Sequence, residues 1–267
     1  MKKQLLLFLL LLCTVKLFGA PVELLSPDKR IKISVNIKDK IGYAVTFNGD
    51  PFLANSYLQL NLDQAELGAN AKLIKKTFSM VNTSSSPVIP LKNSTVIDQY
   101  NLLKLDFKGN FSVEFRAYND GIAYRFITNI KDSITVNSED VHISFNDDVK
   151  TAYLETGGFK TSYEILYRQD ELGQVNKDKM SVLPILFNTG KYKALLSEAD
   201  LYDYPCLFVK AVDHKTVDAI FPKVPLVFGD DGDRSKKILL GKDHFPGAFW
   251  SLPIKIPSWQ LTKWCIN

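Results

Sequence analysis

Apolar and polar residues alternate with a period of two along much of the chain. In Ile31–Ile37, IKISVNI, four β-branched residues alternate with Lys32, Ser34 and Asn36, the pattern of a half-buried strand. Ile41–Phe47 continues it, and Asn48-Gly49-Asp50 supplies a turn. Tyr57–Leu62 puts Leu58, Leu60 and Leu62 on one face, and Tyr100–Phe107 alternates again. The clearest case is Phe111–Thr128, FSVEFRAYNDGIAYRFIT. Phe111, Val113, Phe115 and Ala117 face one way on its left arm. Ile122, Tyr124 and Phe126 do the same on its right. Asn119-Asp120-Gly121 lies between, with Gly121 free to take a positive φ, so the stretch predicts a hairpin with a three-residue loop.

Shorter strands are predicted at Ile134–Val136, Val141–Phe145, Thr151–Leu154, Pro184–Phe187, Tyr192–Leu196, Cys206–Ala211 and Val217–Phe221. Leu24–Asp28 reads as a turn cluster, Asn82–Ser86 as an exposed polar loop, and Tyr163–Tyr167 as a looser region. No helical period of any length occurs before residue 190. Many short strands separated by turn signals predict an all-β sandwich. Their number exceeds one ordinary sandwich. With no internal repeat and no linker, a single oversized sandwich is the economical expectation.

Composition narrows the functional classes. The chain has 267 residues, 46% of them hydrophobic, enough for a substantial core. Its net charge is +4, but the lysines are scattered, not gathered into the basic stripe of a nucleic-acid surface. Met1–Ala20 has Lys2 and Lys3, an apolar run at Leu5–Leu12 and small residues before Pro21. This is the layout of a secretory signal peptide over residues 1–20. Leu12 before Cys13 does not suit a lipoprotein anchor. No later segment approaches the ~20 apolar residues of a membrane-spanning helix, so no membrane association is expected once the signal is cleaved. Cys206 and Cys265 remain after cleavage, too few for a disulfide scaffold. His142, His214 and His244 have no metal-ligand spacing.

Two features carry candidate chemistry. Arg116 and Arg125 lie among aromatics and need carboxylate or carbonyl partners; a structural role is the expectation for both. The segment Ala194–Val209, ALLSEADLYDYPCLFV, gathers Glu198, Asp200 and Asp203 just after a strand. Spacing alone leaves three readings open: a solvated acidic loop, part of a calcium shell, or one of the paired carboxylates of a glycosidase.

The hairpin FRAYNDGIAYRF, the opening SPDKRIKISV, the segment VLPILF and above all LLSEADLYDYPCLFV resemble the N-terminal domain of glycoside hydrolase family 97. The resemblance runs in order from about Ser26 to about Pro246. It implies a large β-supersandwich of the galactose mutarotase-like kind over residues 21–258. In the family this domain precedes a (β/α)8 barrel. The resemblance further implies exo-acting α-glycosidases, acting on α-glucosides or α-galactosides, secreted to the periplasm and dependent on calcium. It makes Glu198 one ligand of that calcium, with the remaining acidic ligands and the catalytic carboxylates in the barrel. Asp200 and Asp203 match motif positions without an assigned role.

The sequence departs from the family within its closing stretch, LPIKIPSWQLTKWCIN, near Ser258. Residues 259–267 read as an aberrant or truncated tail, and the expectation is a chain without the barrel. No catalytic residue is therefore expected in this chain. The expectation is an inactive domain that binds calcium weakly when alone and that docks to a barrel encoded elsewhere. The alternative is a stand-alone periplasmic carbohydrate-binding module. Trp250, Trp259 and Trp264 all lie near the C-terminal end, a placement that suits domain docking better than a sugar groove. Mutarotase-like chemistry needs a base and an acid that three scattered histidines do not offer, and fold alone does not warrant it.

Overall fold

The computed structural model describes residues 20–90, 92–130, 134–159, 161–199, 201, 204–223, 227–230, 236–239 and 261–266, with side chains described up to residue 223. The predicted leader, residues 1–20, lies almost wholly outside them. Strands account for nearly all the regular structure. In chain order they are β1 (Val22–Leu25), β2 (Ile31–Ile37), β3 (Ile41–Phe47), β4 (Asp50–Leu62), β5 (Glu66–Leu67), β6 (Leu73–Ser85) and β7 (Val96–Phe107). Then come β8 (Phe111–Ala117), β9 (Gly121–Thr128), β10 (Val136–Ser144), β11 (Lys150–Thr156), β12 (Arg168–Glu171), β13 (Met180–Asn188) and β14 (Lys193–Ala199). The last are β15 (Phe208–Ala211), β16 (Thr216–Ile220), β17 (Val227–Asp230), β18 (Lys236–Leu239) and β19 (Leu261–Ile266). A 3-10 turn at Leu172–Gln174 is the single helical element among the described residues.

Every pairing between named strands is antiparallel, and the pairings trace two layers. One runs β1-β2-β3-β4-β10-β16-β15. The other runs β6-β7-β8-β9-β19-β14-β13-β11-β12. They join at one corner, where Ser181 and Val182 of β13 pair with Val209 and Phe208 of β15. β17 and β18 form a separate hairpin. The inward faces meet in one large apolar cluster that includes Ile31, Ile33, Val45, Leu58, Leu103, Phe115, Phe187 and Leu196. Ring contacts cross between the layers: Tyr43 on Phe115 at 6.0 Å and Phe145 on Phe187 at 4.8 Å between centroids. The expected all-β sandwich, larger than an ordinary one, is what the chain forms.

The central hairpin has the expected strands and inward face. Tyr118 N–H donates to Gly121 O at 2.8 Å across its tip. Gly121 departs from the expectation. It opens β9 in extended backbone and is not among the positive-φ residues. Gly68 is where a glycine is needed. Its φ is +102°, and a Cβ there would stand 3.0 Å from the Leu58 carbonyl oxygen. The loop expected at Asn82–Ser86 is exposed, but Asn82–Ser85 complete β6 and pair with Val96–Gln99. The turn cluster at Leu24–Asp28 likewise yields its first two residues to β1, which pairs with β2.

Candidate functional site

Ala194 and Leu196 of β14 point into the core, and Glu198 has the same parity two residues on. In the facing layer, Glu139 shares the inward parity of Val141 and Ile143 on β10. Two carboxylates therefore enter the same end of the sandwich from opposite layers. Tyr124 of β9 lies on the row of Glu198, with Thr262 of β19 opposite each of them.

Glu139 is buried. It accepts hydrogen bonds from the Tyr204 hydroxyl at 2.7 Å and the Tyr124 hydroxyl at 3.3 Å. Burial pushes its carboxyl up to about 7; the two hydroxyls oppose the shift, and the charges of Glu198 and Asp140 add to it. The Tyr204 hydroxyl is raised well above its ordinary value, by burial first and the adjoining Glu139 charge second. Glu198 is partly buried. Both its oxygens accept from Leu207 N–H, at 3.0 and 3.1 Å. Burial pushes this carboxyl also to about 7, against the stabilising Leu207 N–H.

These bonds close the SEADLYDYP segment into a loop. Glu198 ties its start to Leu207, and Tyr204 ties its far side to β10. Aromatic residues flank its far end. Phe159 packs edge-on against Phe208 at 5.0 Å, and the Tyr163 hydroxyl lies 3.9 Å from Cys206 Sγ. Tyr163, Ile165, Leu166, Tyr167 and Leu201 are exposed. Single exposed apolar residues are ordinary, but four of these fall within residues 163–167, and grouped exposed apolar residues mark interaction surfaces.

The donor set fits one ligand of a hard cation, not a whole site. A carboxylate accepting one N–H retains lone pairs for a metal. Among the described residues, no three of His, Cys, Asp and Glu gather into a metal-holding group. Asp200 and Asp203 fall outside the described residues. Glu139 was not legible as part of this site. Its signal in the sequence is a lone acidic residue on the apolar parity of NSEDVHIS.

The other candidates are placed elsewhere. Arg125 Nε bonds Glu114 Oε2 at 2.6 Å in a buried pair. Arg116 lies over the Tyr100 ring at 4.6 Å, and Tyr118 packs on the same ring. His142 pairs with Asp218 at 2.6 Å and stacks on Tyr57; His214 faces Asp148 at 3.4 Å; His244 is outside the described residues. Cys206 is a free thiol. An open groove of about 670 Å³ crosses the outer faces of β11–β14, lined by polar residues such as Lys150, Gln169, Glu171 and Asn188. No aromatic lines it, so it offers no ring-stacking platform.

Comparison with known proteins gives a consistent answer. The family described as Glycosyl-hydrolase 97 N-terminal matches residues 24–253. A curated relative, the retaining alpha-galactosidase of Bacteroides thetaiotaomicron, is 33% identical over 260 residues, covering 91% of this chain and 38% of the relative. A glycoside hydrolase family 97 enzyme of Pseudoalteromonas sp. strain K8, solved with acarbose, superposes with a TM-score of 0.71 at 20% identity over 92% of this chain and 35% of that one. A beta-arabinopyranosidase superposes with the same TM-score of 0.71 at 19% identity, over 92% of this chain and 40% of its own. The chain thus spans well under half the length of the relatives it matches, and the last two show the fold alone. The match over residues 24–253 decides the family: this chain belongs to glycoside hydrolase family 97, as its N-terminal domain.

Proposed function

We propose that the chain serves as the N-terminal β-sandwich of a calcium-dependent exo-acting α-glycosidase, secreted to the periplasm, and that Glu198 supplies one ligand of the calcium. The observation that carries this reading is the position of Glu198. It lies one residue before the end of core strand β14, inside the segment that most resembles the family. The substrate is an α-galactoside or α-glucoside. The curated relative is an alpha-galactosidase; the fold is shared with a beta-arabinopyranosidase, so fold does not choose the sugar. The nucleophile, the general base and the other calcium ligands belong to a barrel docked against the exposed apolar residues flanking the SEADLYDYP loop.

Calcium bound there would polarise substrate oxygens as a Lewis acid. The chain's own part is to hold Glu198 in place. Leu207 N–H orients the carboxylate, and the Tyr204–Glu139 bond fixes the loop between them.

A chimera tests the proposal: this chain replaces the corresponding segment of the Bacteroides alpha-galactosidase. The chimera should hydrolyse p-nitrophenyl α-galactoside in a calcium-dependent manner. Glu198→Gln in the chimera should raise the calcium needed for half-maximal activity by about tenfold or more, since even residues behind a metal's ligands cost 10–100-fold. Unchanged calcium dependence in that variant overturns the assignment.

A further inference from the structure

We propose that β6 is a self-docking edge, through which two copies of this chain pair antiparallel about a two-fold axis at Ser79. Within this chain β6 pairs with β7 and with no other described strand. Its thirteen residues make it the longest such edge; β1 and β12, the other layer ends that pair on one side only, have four each. A long edge with unpaired backbone groups is a template for another strand.

The side chains agree with the backbone. One inward row crosses β9, β8, β7 and β6 through Tyr124, Phe115, Leu103 and Phe78. Their exposures are 4%, 1%, 0% and 53%. The facing layer covers the row as far as β7 and leaves β6 bare. Met80 and Ile97 continue this uncovered face at 71% and 70% exposure. The core-facing side of the sheet extends past its cover, and apolar side chains occupy the overhang.

The sequence of β6 selects a second copy as the occupant. A two-fold axis normal to the sheet keeps faces in common, so only registers centred on a residue are allowed. Centred on Ser79, Phe78 of each copy lies opposite Met80 of the other. Lys75 then faces Thr83 and Lys76 faces Asn82, so no lysine meets a lysine. Centring on Phe78 puts Met80 against Lys76, and centring on Thr77 puts Phe78 against Lys76. Centring on Met80 sets Phe78 against Asn82. Centres at Lys75 or Lys76 oppose a lysine to itself. The Ser79 register alone joins the two apolar pairs and separates the charges, and like charges directly opposite are destabilising. Pairing consumes the edge, so the assembly closes at two copies.

Sedimentation equilibrium and cysteine crosslinking test the proposal. The purified chain should sediment at twice its monomer mass. Phe78→Lys with Met80→Lys should return it to the monomer, with far-UV circular dichroism and thermal midpoint retained because both positions are exposed. Ser79→Cys lies on the axis and should form a 79–79 disulfide between copies on mild oxidation, identified by peptide mapping. Asn82→Cys, displaced from the axis, should not crosslink to itself. A monomeric native chain overturns the proposal. So does a dimer that survives the lysine pair, or an Asn82→Cys crosslink as efficient as that at Ser79.

Discussion

Arg125 and Glu114 show what one residue can require of its neighbours. Both lie on the central hairpin, opposite one another in register, and both are buried. Replacing Arg125 with Met leaves a buried carboxylate without its guanidinium. Urea denaturation should show a loss of about 3–5 kcal/mol, the usual consequence of removing one partner of a buried ion pair. Glu139 makes the opposite demand. Its folded value of about 7 exceeds the ordinary 4.5, so the folded state holds this proton where the unfolded chain releases it. Its contribution to stability is complete below pH ~4.5 and is lost as pH rises through ~7. Thermal midpoints measured across that range should fall with pH, and Glu139→Gln should flatten this part of the profile. Gly68 is the third case. Gly68→Ala meets the Leu58 carbonyl in a left-handed conformation, which should cost about 1–3 kcal/mol in the same denaturation assay.

At the scale of elements, the SEADLYDYP loop is held by two side chains, and β6 defied its own pattern. The Tyr204 hydroxyl anchors the loop to β10. Tyr204→Phe keeps the ring and removes that anchor, which should cost about 1–3 kcal/mol because a buried carboxylate loses a donor. Faster hydrogen exchange at residues 199–207 than in β14 should accompany it. The central hairpin was legible because one face of each arm is uniformly apolar and the other carries polar residues such as Glu114 and Arg125, which gives period two even though both faces are buried. β6 was not. Ile74, Phe78 and Met80 alternate with little that is apolar, and nearly every position is exposed. Without a covered face, strand and polar loop look alike, and only the hydrogen bonds to β7 distinguish them.

Across the described residues, two layers enclose a large apolar core, and at one end of it the buried Glu139 and the partly buried Glu198 enter from opposite layers. In the proposed division of labour the catalytic carboxylates belong to the barrel, and this domain contributes Glu198. The purified chain should therefore release no detectable p-nitrophenol from α-galactoside or α-glucoside substrates, with or without added calcium. Calcium-dependent turnover by the chain alone would place the catalytic groups inside it and end the proposed division of labour.

The amino-acid sequence by itself determined the all-β class, the inward faces of the central hairpin, the family, and the segment in which Glu198 lies. These are properties of local pattern: period-two alternation of apolar and polar residues along a strand, and a specific run of residues in SEADLYDYP. Only the tertiary structure decided which carboxylates share an end of the sandwich. Glu139 and Glu198 are 59 positions apart in number and meet because β10 and β14 belong to facing layers. It also decided that the cover ends at β7, leaving β6 bare. Both outcomes depend on which strands stack across the core, and stacking is set by the sum of many contacts that no single stretch of sequence contains.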